Sequence, residues 1–330
     1  MKTKHIGFFV IILSIFLYMG CNKSSRISKI YSLIEHDNIT KVEKELQKSN
    51  LFTKQEFEDL CRISIENKNL KIPILLINKG MSPDIYINDK PLSFYFIEYG
   101  TDEDFYELIK YNINLDLKDN SKHLNIAEYA IQYDKRNSFN AVISEMSKKD
   151  DNSYTSKMLE ILRFVLRDKK NDYVKIIIDN VNFNKDLKEL CKEYFSVLLN
   201  SKVSCDLLSD FLNKNVNVLL LNDDLLYYVL TNFSYLEKCN FHFFDYPLII
   251  NNKSEYFADN FLDGEPEGLE QLLNLINSDE KIQFNDDFVS IKYILNYRIR
   301  LLSGAVDGDK KIKKLNQVEI EKLEKLIHDF

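Results

Sequence analysis

Five cysteines, at positions 21, 61, 191, 205 and 239, are the side chains of this 330-residue sequence best suited to covalent or metal chemistry. None forms a C-x-x-C pair, and the wide spacing of the last four fits no tetrahedral zinc site. In an oxidising compartment Cys61, Cys191, Cys205 and Cys239 could pair in any of three connectivities. Cys61 (EDLCRISIEN) and Cys191 (KELCKEYFSVLL) fall on apolar faces of helical stretches, however, so the four are expected as buried thiols acting as small hydrophobes. His36, His123, His242 and His328 are scattered, with no H-E-x-x-H and no i,i+4 pair. Asp263, Glu265 and Glu267 gather three carboxylates in DGEPEG, but the ligand spacing of a calcium loop is missing, and a solvated acidic turn is expected. No G-x-S-x-G, phosphate-binding loop or G-x-G-x-x-G occurs, and nothing nucleophilic stands beside a base. No enzymatic activity, metal or cofactor is expected.

Cys21 stands apart because of what precedes it. In MKTKHIGFFVIILSIFLYMGC, Lys2 and Lys4 form a basic start, and residues 6–19 are apolar except for Gly7 and Ser14. Fourteen helical residues would span about 21 Å, short of the roughly 30 Å hydrocarbon core. The segment therefore reads as the apolar region of a signal peptide. Its closing Gly20-Cys21 resembles the lipobox of bacterial lipoproteins, a family in which the thiol is lipidated, the bond before it is cut and the new amino terminus is acylated. Leu17 stands one place earlier than the strict pattern, with Tyr18 and Met19 before Gly20. The resemblance implies a signal peptide over 1–20, lipidation of Cys21 and a polar tether over 21–27. It places the protein at a bacterial membrane, on the periplasmic or cell-surface side. Cutting there removes two lysines and no acid, taking the formal charge from −7 to −9. So acidic a body is not expected to seek anionic lipid, which leaves the acyl chains, at about 0.8 kcal/mol per buried methylene, as the anchor.

The elements that follow must be helical. With only 8 Gly and 5 Pro, the chain lacks the turns of a many-stranded β-fold, while 45% hydrophobic and 29% charged residues suit a globular chain. The acidic balance argues against nucleic acid, whose phosphates require a dense basic face. Apolar helical stretches end in LLINKGMS, ELIKYNIN, KIIIDNVN and DFLNKNVN, with Gly80, Asn112, Asn180 and Asn215 at the turn. Asn50 and, more weakly, Met146 complete a series spaced by 30, 32, 34, 34 and 35 residues. Gly or Asn suits such a position because helices commonly end on a left-handed residue. A second helix precedes each of these, joined by tight turns such as Asp37-Asn38, Asn67-Lys68-Asn69 and Gly100-Thr101. Two helices in about 33 residues is the signature of a stacked solenoid.

Lys90-Pro91-Leu92-Ser93 and Asn125-Ile126-Ala127-Glu128-Tyr129-Ala130-Ile131 resemble the opening of the first helix of ankyrin repeats. Gly80-Met81-Ser82-Pro83-Asp84 and Asn112-Ile113-Asn114-Leu115-Asp116 resemble that family's Gly-Ala-Asp-Val-Asn turn. The resemblance implies an all-α fold, with ankyrin-like helix-turn-helix repeats over 28–246 and polar fingers between units. It places partner contacts at Tyr86, Asn88, Asp89 and Lys90 in one finger, and at Lys118, Asp119, Asn120 and Lys122 in the next. Residues 247–330 diverge: longer helices are expected over 255–276 and 288–303, then an amphipathic helix from Val318 to Phe330 as a C-terminal cap. The expected function is a non-enzymatic, lipid-anchored scaffold for an unknown protein partner. A toxin-immunity role, and an envelope ligand-binding protein or enzyme built on 247–330, are the alternatives.

Overall fold

Starts and stops written into the sequence explain most of the helices. The computed structural model describes residues 26–48, 52–148, 152–222, 224–246, 257–276, 281–284, 287–304 and 310–329. Cys21, the signal segment and Asn50 lie outside the described residues. The chain divides into two units, Met1–Lys149 and Asp150–Phe330.

In the first unit the helices are α1 (residues 26–35), α2 (Ile39–Gln47), α3 (Lys54–Glu66), α4 (Lys71–Asn78), α5 (Leu92–Tyr99), α6 (Asp102–Ile109), α7 (Ile126–Gln132) and α8 (Arg136–Ser147). Reciprocal capping boxes open three of them, Thr53 with Glu56, Thr101 with Asp104 and Asn125 with Glu128, each satisfying two otherwise orphaned amides. Pro73 lies in the first turn of α4, where a missing N–H costs little. Gly100 ends α5, where a Cβ would come within 2.4 Å of the Phe96 carbonyl oxygen. Helices pack in consecutive pairs, α3 on α4, α5 on α6 and α7 on α8, and also in rows, α2–α4–α6–α8 and α5–α7. Leu76, Phe94, Phe96, Phe105, Leu108 and Tyr129 fill the space between the rows.

The second unit begins with the same arrangement in α9 (Asn152–Arg167), α10 (Asn171–Asn180), α11 (Lys188–Asn200) and α12 (Cys205–Leu219): α9 packs on α10 and α11, and α12 on α10 and α11. Short helices α13 (Leu225–Leu230), α14 (Phe233–Lys238), α15 (Asp259–Asp263) and α16 (Pro266–Leu273) follow, then α17 (Ile291–Gly304) and α18 (Lys310–Asp329).

One turn recurs in both units. Asp37, Lys68, Asp134, Lys169, Lys202 and Asn240 all have positive φ, from 46° to 55°. The amide after each reaches back five residues, as in Asn69 to Ser64 (2.8 Å), Lys135 to Ala130 (2.9 Å) and Lys170 to Val165 (3.2 Å). This is the Schellman helix ending. Side chains also bridge positions 30 to 35 residues apart. Asp84 accepts from the Asn114 amide (2.8 Å), Asn137 donates to Asp102 (2.7 Å) and Lys175 pairs with Asp210 (2.7 Å).

Several expectations need correction. Gly80 (φ 101°) and Asn112 (φ 52°) are left-handed helix endings as anticipated, but the other two turn residues are not. Asn180 is the last residue of α10, followed by extended Val181. Asn215 lies buried inside α12, where its amide donates to the Phe211 carbonyl (2.9 Å) and Val216, Val218 and Leu219 continue the helix. Met146 is buried within α8. Residues 255–276 do not form one longer helix, because Gly264 ends α15 and Pro266 opens α16. An unanticipated antiparallel hairpin, β3 (Lys281–Phe284) with β4 (Asp287–Ser290), precedes α17. The final helix begins at Lys310, earlier than the expected Val318, and packs on α16 and α17 through the buried Ile320, Leu323 and Leu326. Cys61 and Cys191 are buried free thiols as expected, whereas Cys205 and Cys239 are joined in a disulfide. Their Cα atoms are 5.0 Å apart, because the first residue of α12 meets the residue that ends α14. That juxtaposition is tertiary and leaves no local mark in the sequence.

Candidate functional site

Two fingers project between helix pairs of the first unit. The first is a hairpin, β1 (Tyr86–Ile87) with β2 (Lys90–Pro91), closed by Asn88 (φ 49°) and Asp89 (φ 64°). Two consecutive left-handed residues make a type I′ turn, whose twist matches that of the strands and which favours Asn and Asp. Ile87 is buried and pins the hairpin, and its carbonyl accepts from the Tyr95 hydroxyl (2.8 Å). The second finger is pinched by a bridge between Lys118 and Asn125. The fingers are tied to each other: the Asn120 amide donates to the Asp89 carbonyl (3.1 Å), and the Tyr86 hydroxyl to that of Lys118 (3.2 Å).

The anticipated contact residues divide into two groups. Tyr86, Asn88, Asp89, Lys118, Asn120 and Lys122 are exposed. Asp119 is only 2% exposed and organises its own turn, accepting from the Ser121 amide (2.7 Å), the Ser121 hydroxyl (2.5 Å) and the Lys122 amide (3.2 Å). Burial works to raise its pKa, but those bonds prevail and hold it below the usual range. Lys90 turns back beneath its finger, with Nζ 2.6 Å from Glu98 and 4.5 Å above the Tyr95 ring.

Sequence reasoning missed the floor under the fingers. Tyr95 and Tyr99 on α5, and Tyr129 on α7 with Tyr133 at its C-terminal cap, stand at i,i+4 spacing, with ring centroids 6.1 Å and 4.6 Å apart within each pair. Lys68 lies 5.6 Å from the Tyr99 ring, and Lys122 lies 5.6 Å from that of Tyr129. The signal in the sequence is two such tyrosine pairs offset by 34 residues. Glu98 sits at the centre, accepting from Lys90 and from the Tyr129 hydroxyl (2.9 Å). Burial pushes its pKa up, yet these donors hold it below the ordinary carboxylate range, while burial drives Tyr95 up to about 12. Beside this cluster a depression of about 380 Å³ is lined by Arg62, Lys68, Asn88, Lys90, Tyr95 and Tyr99. There Tyr99 is exposed and Tyr95 buried, so one accessible ring among tethered cations can receive a polypeptide surface.

Glu98 also sets a pH dependence. Because its folded pKa is depressed, its stabilising effect is complete above its unfolded pKa of about 4.3 and is lost as pH falls through the lower folded value. Glu98→Gln is therefore expected to make the first unit less stable at pH 7 and flatten its stability loss between about pH 5 and 3, measured by urea unfolding at stepped pH. An unchanged slope would contradict this role.

The carboxylates of the acidic turn are divided among different partners. The Asp263 carboxylate accepts from the Tyr227 hydroxyl (3.2 Å), Glu265 accepts from the Ser234 amide (2.6 Å), and Glu267 pairs with Lys322. The three carboxylates serve separate partners in a turn that stays solvated, with Asp263 exposed and Glu265 and Glu267 half-buried. Among the described residues no cluster of three His, Cys, Asp or Glu is placed to hold a metal, and no helix is long and apolar enough to cross a membrane. Burial raises the Cys61 thiol and drives that of Cys191 up to about 12, so neither is a ready nucleophile.

Comparison with protein-family models and with curated protein sequences returns no match.

Proposed function

We propose that this chain is a lipid-anchored, ankyrin-like scaffold on the extracytoplasmic side of a bacterial membrane, binding another protein through the fingers and tyrosine floor of its first unit. The observation carrying this reading is the pair of fingers held side by side over Tyr95, Tyr99, Tyr129 and Tyr133. The buried Tyr95 and Tyr129 hold the fingers rigid, so the exposed finger tips, Tyr99 and the half-tethered lysines can bind with little ordering cost. The repeated Schellman turns, helix rows and bridges one period apart support stacked repeats within each unit. The Cys205–Cys239 disulfide supports a location outside the cytoplasm, since reducing compartments rarely sustain such bonds. Lipidation is proposed at Cys21 from its lipobox-like surroundings.

Affinity capture from solubilised membranes tests the face. Tyr86→Ala combined with Lys118→Glu is expected to reduce recovery of a partner at least tenfold, with circular dichroism unchanged because both side chains are exposed. Equal recovery with both substitutions in place would rule this face out.

A further inference from the structure

We propose that a cationic surface on α1 and α2 docks on anionic phospholipid headgroups and orients the anchored protein on the membrane. This rests on the lipid-anchor reading for its location, but its own evidence lies in the described residues. Glu45 is the hub: Lys29 Nζ approaches its carboxylate to 2.9 Å, Lys48 Nζ to 3.0 Å and Arg26 Nε to 3.6 Å. One carboxylate shared by three cations leaves a surplus of two positive charges. Hydrogen bonds from Lys29 and Lys48 keep Glu45 ionised, with its pKa down at about 2, so the hub persists at any physiological pH. Lys41 and Lys44 are exposed, and with Lys48 they follow the three-to-four residue spacing of one helical stripe. Neither has a carboxylate within ion-pair distance among the described residues. The remaining acid of α2, Glu43, falls off that stripe.

Overall charge conceals this surface. The whole chain is net acidic, at −7, yet residues 26–48 carry five cations against four carboxylates, Glu35, Asp37, Glu43 and Glu45, and three of those cations converge on Glu45. Only residues 22–25 separate Cys21 from Arg26. At roughly 3.5 Å per extended residue, α1 would begin within about 18 Å of a lipidated Cys21. The field of an anionic bilayer acts over about 8–10 Å, and so short a tether lets these helices come within its reach. Each cation that settles there strengthens attachment about fivefold. The acyl chains would hold the protein, and this stripe would decide which side of the first unit faces the lipid.

Lysine acetylation footprinting of the full protein, extracted from membranes and incorporated into vesicles, tests the proposal. Vesicles of phosphatidylcholine are compared with vesicles containing about one-third phosphatidylglycerol. In the anionic vesicles Lys41, Lys44 and Lys48 are expected to react at least threefold more slowly at low salt and to recover near 0.5 M salt, where screening is strong. Lys118 and Lys175 should react equally in both. Lys41→Glu with Lys44→Glu, at two exposed positions, should abolish the slowing at Lys48. Flotation with neutral vesicles reports the lipid anchor separately, so either idea can fail alone. Equal rates at Lys41 and Lys44 in both vesicle types would overturn the docking surface, as would protection by a soluble acidic protein or RNA without protection by anionic vesicles.

Discussion

Reduction of the Cys205–Cys239 disulfide is expected to destabilise the second unit by about 3–4 kcal/mol, lowering its unfolding midpoint by roughly 10 °C. The bond closes a loop across 34 residues of sequence, and breaking it restores to the unfolded chain the conformational freedom that the crosslink removes. It joins the start of α12 to the end of α14, so the lost restraint falls where the regular helix pairs give way to short helices. Calorimetry with and without reductant, repeated on Cys205→Ser with Cys239→Ser, measures the effect. The free thiols Cys61 and Cys191 are buried and cannot substitute for the pair. A midpoint unchanged by both reduction and double substitution would mean that the crosslink does not form.

Arg298→Ala is expected to cost about 3–4 kcal/mol in the same unit. This side chain is 6% exposed, and its guanidinium donates to the carbonyls of Phe261 (3.0 Å) and Gly264 (2.6 Å) and to Glu319 (2.5 Å). It therefore joins the end of α15, the turn after it and α18 to α17. Truncation would leave two carbonyls and a carboxylate without their donor, a larger penalty than the pair's own contribution. Arg298→Lys should recover only part of the loss, since one ammonium cannot reproduce the guanidinium fork. Urea unfolding followed by tyrosine fluorescence measures this, and a loss below about 1 kcal/mol would contradict the assigned role.

The helical class was legible because its signals are local. Thr53, Thr101 and Asn125 announce helix starts, Gly80 and Asn112 announce stops, and Asn88-Asp89 marks a hairpin turn. Turn chemistry misled where a residue type has two uses. Asn215 tolerates a left-handed turn, yet inside α12 its amide is satisfied by the carbonyl four residues back, and the apolar run beyond it prevails. The Schellman endings at Asp37 and Lys68 fall in tight turns that the sequence marks, whereas those at Lys169 and Lys202 occupy positions usually signalled by Gly and carry no such mark. Pro266 opens α16 inside a stretch that reads as one longer helix, and the paired strands β3 and β4 that follow have an alternation too short to stand out.

The site was legible in outline only. The ankyrin resemblance pointed to the loops at 86–90 and 118–122, but the inward turn of Lys90 and the burial of Asp119 depend on Glu98 and on the amides of Ser121 and Lys122. The tyrosine floor was hidden by its own composition. An aromatic residue at helical spacing signals core and contact equally, and only the fold separates Tyr99, which is 40% exposed, from Tyr129, which is fully buried. The Cys205–Cys239 bond was invisible for a related reason, since pairing depends on which helix ends meet.

Site-specific photocrosslinking in intact cells tests the central claim most directly. A photoreactive residue at Asn88 or Lys118 on the fingers should trap one and the same protein, while the same probe at exposed Tyr293 on α17 should trap none of it. A partner trapped from Tyr293 and never from the fingers would place recognition on the second unit and contradict the account.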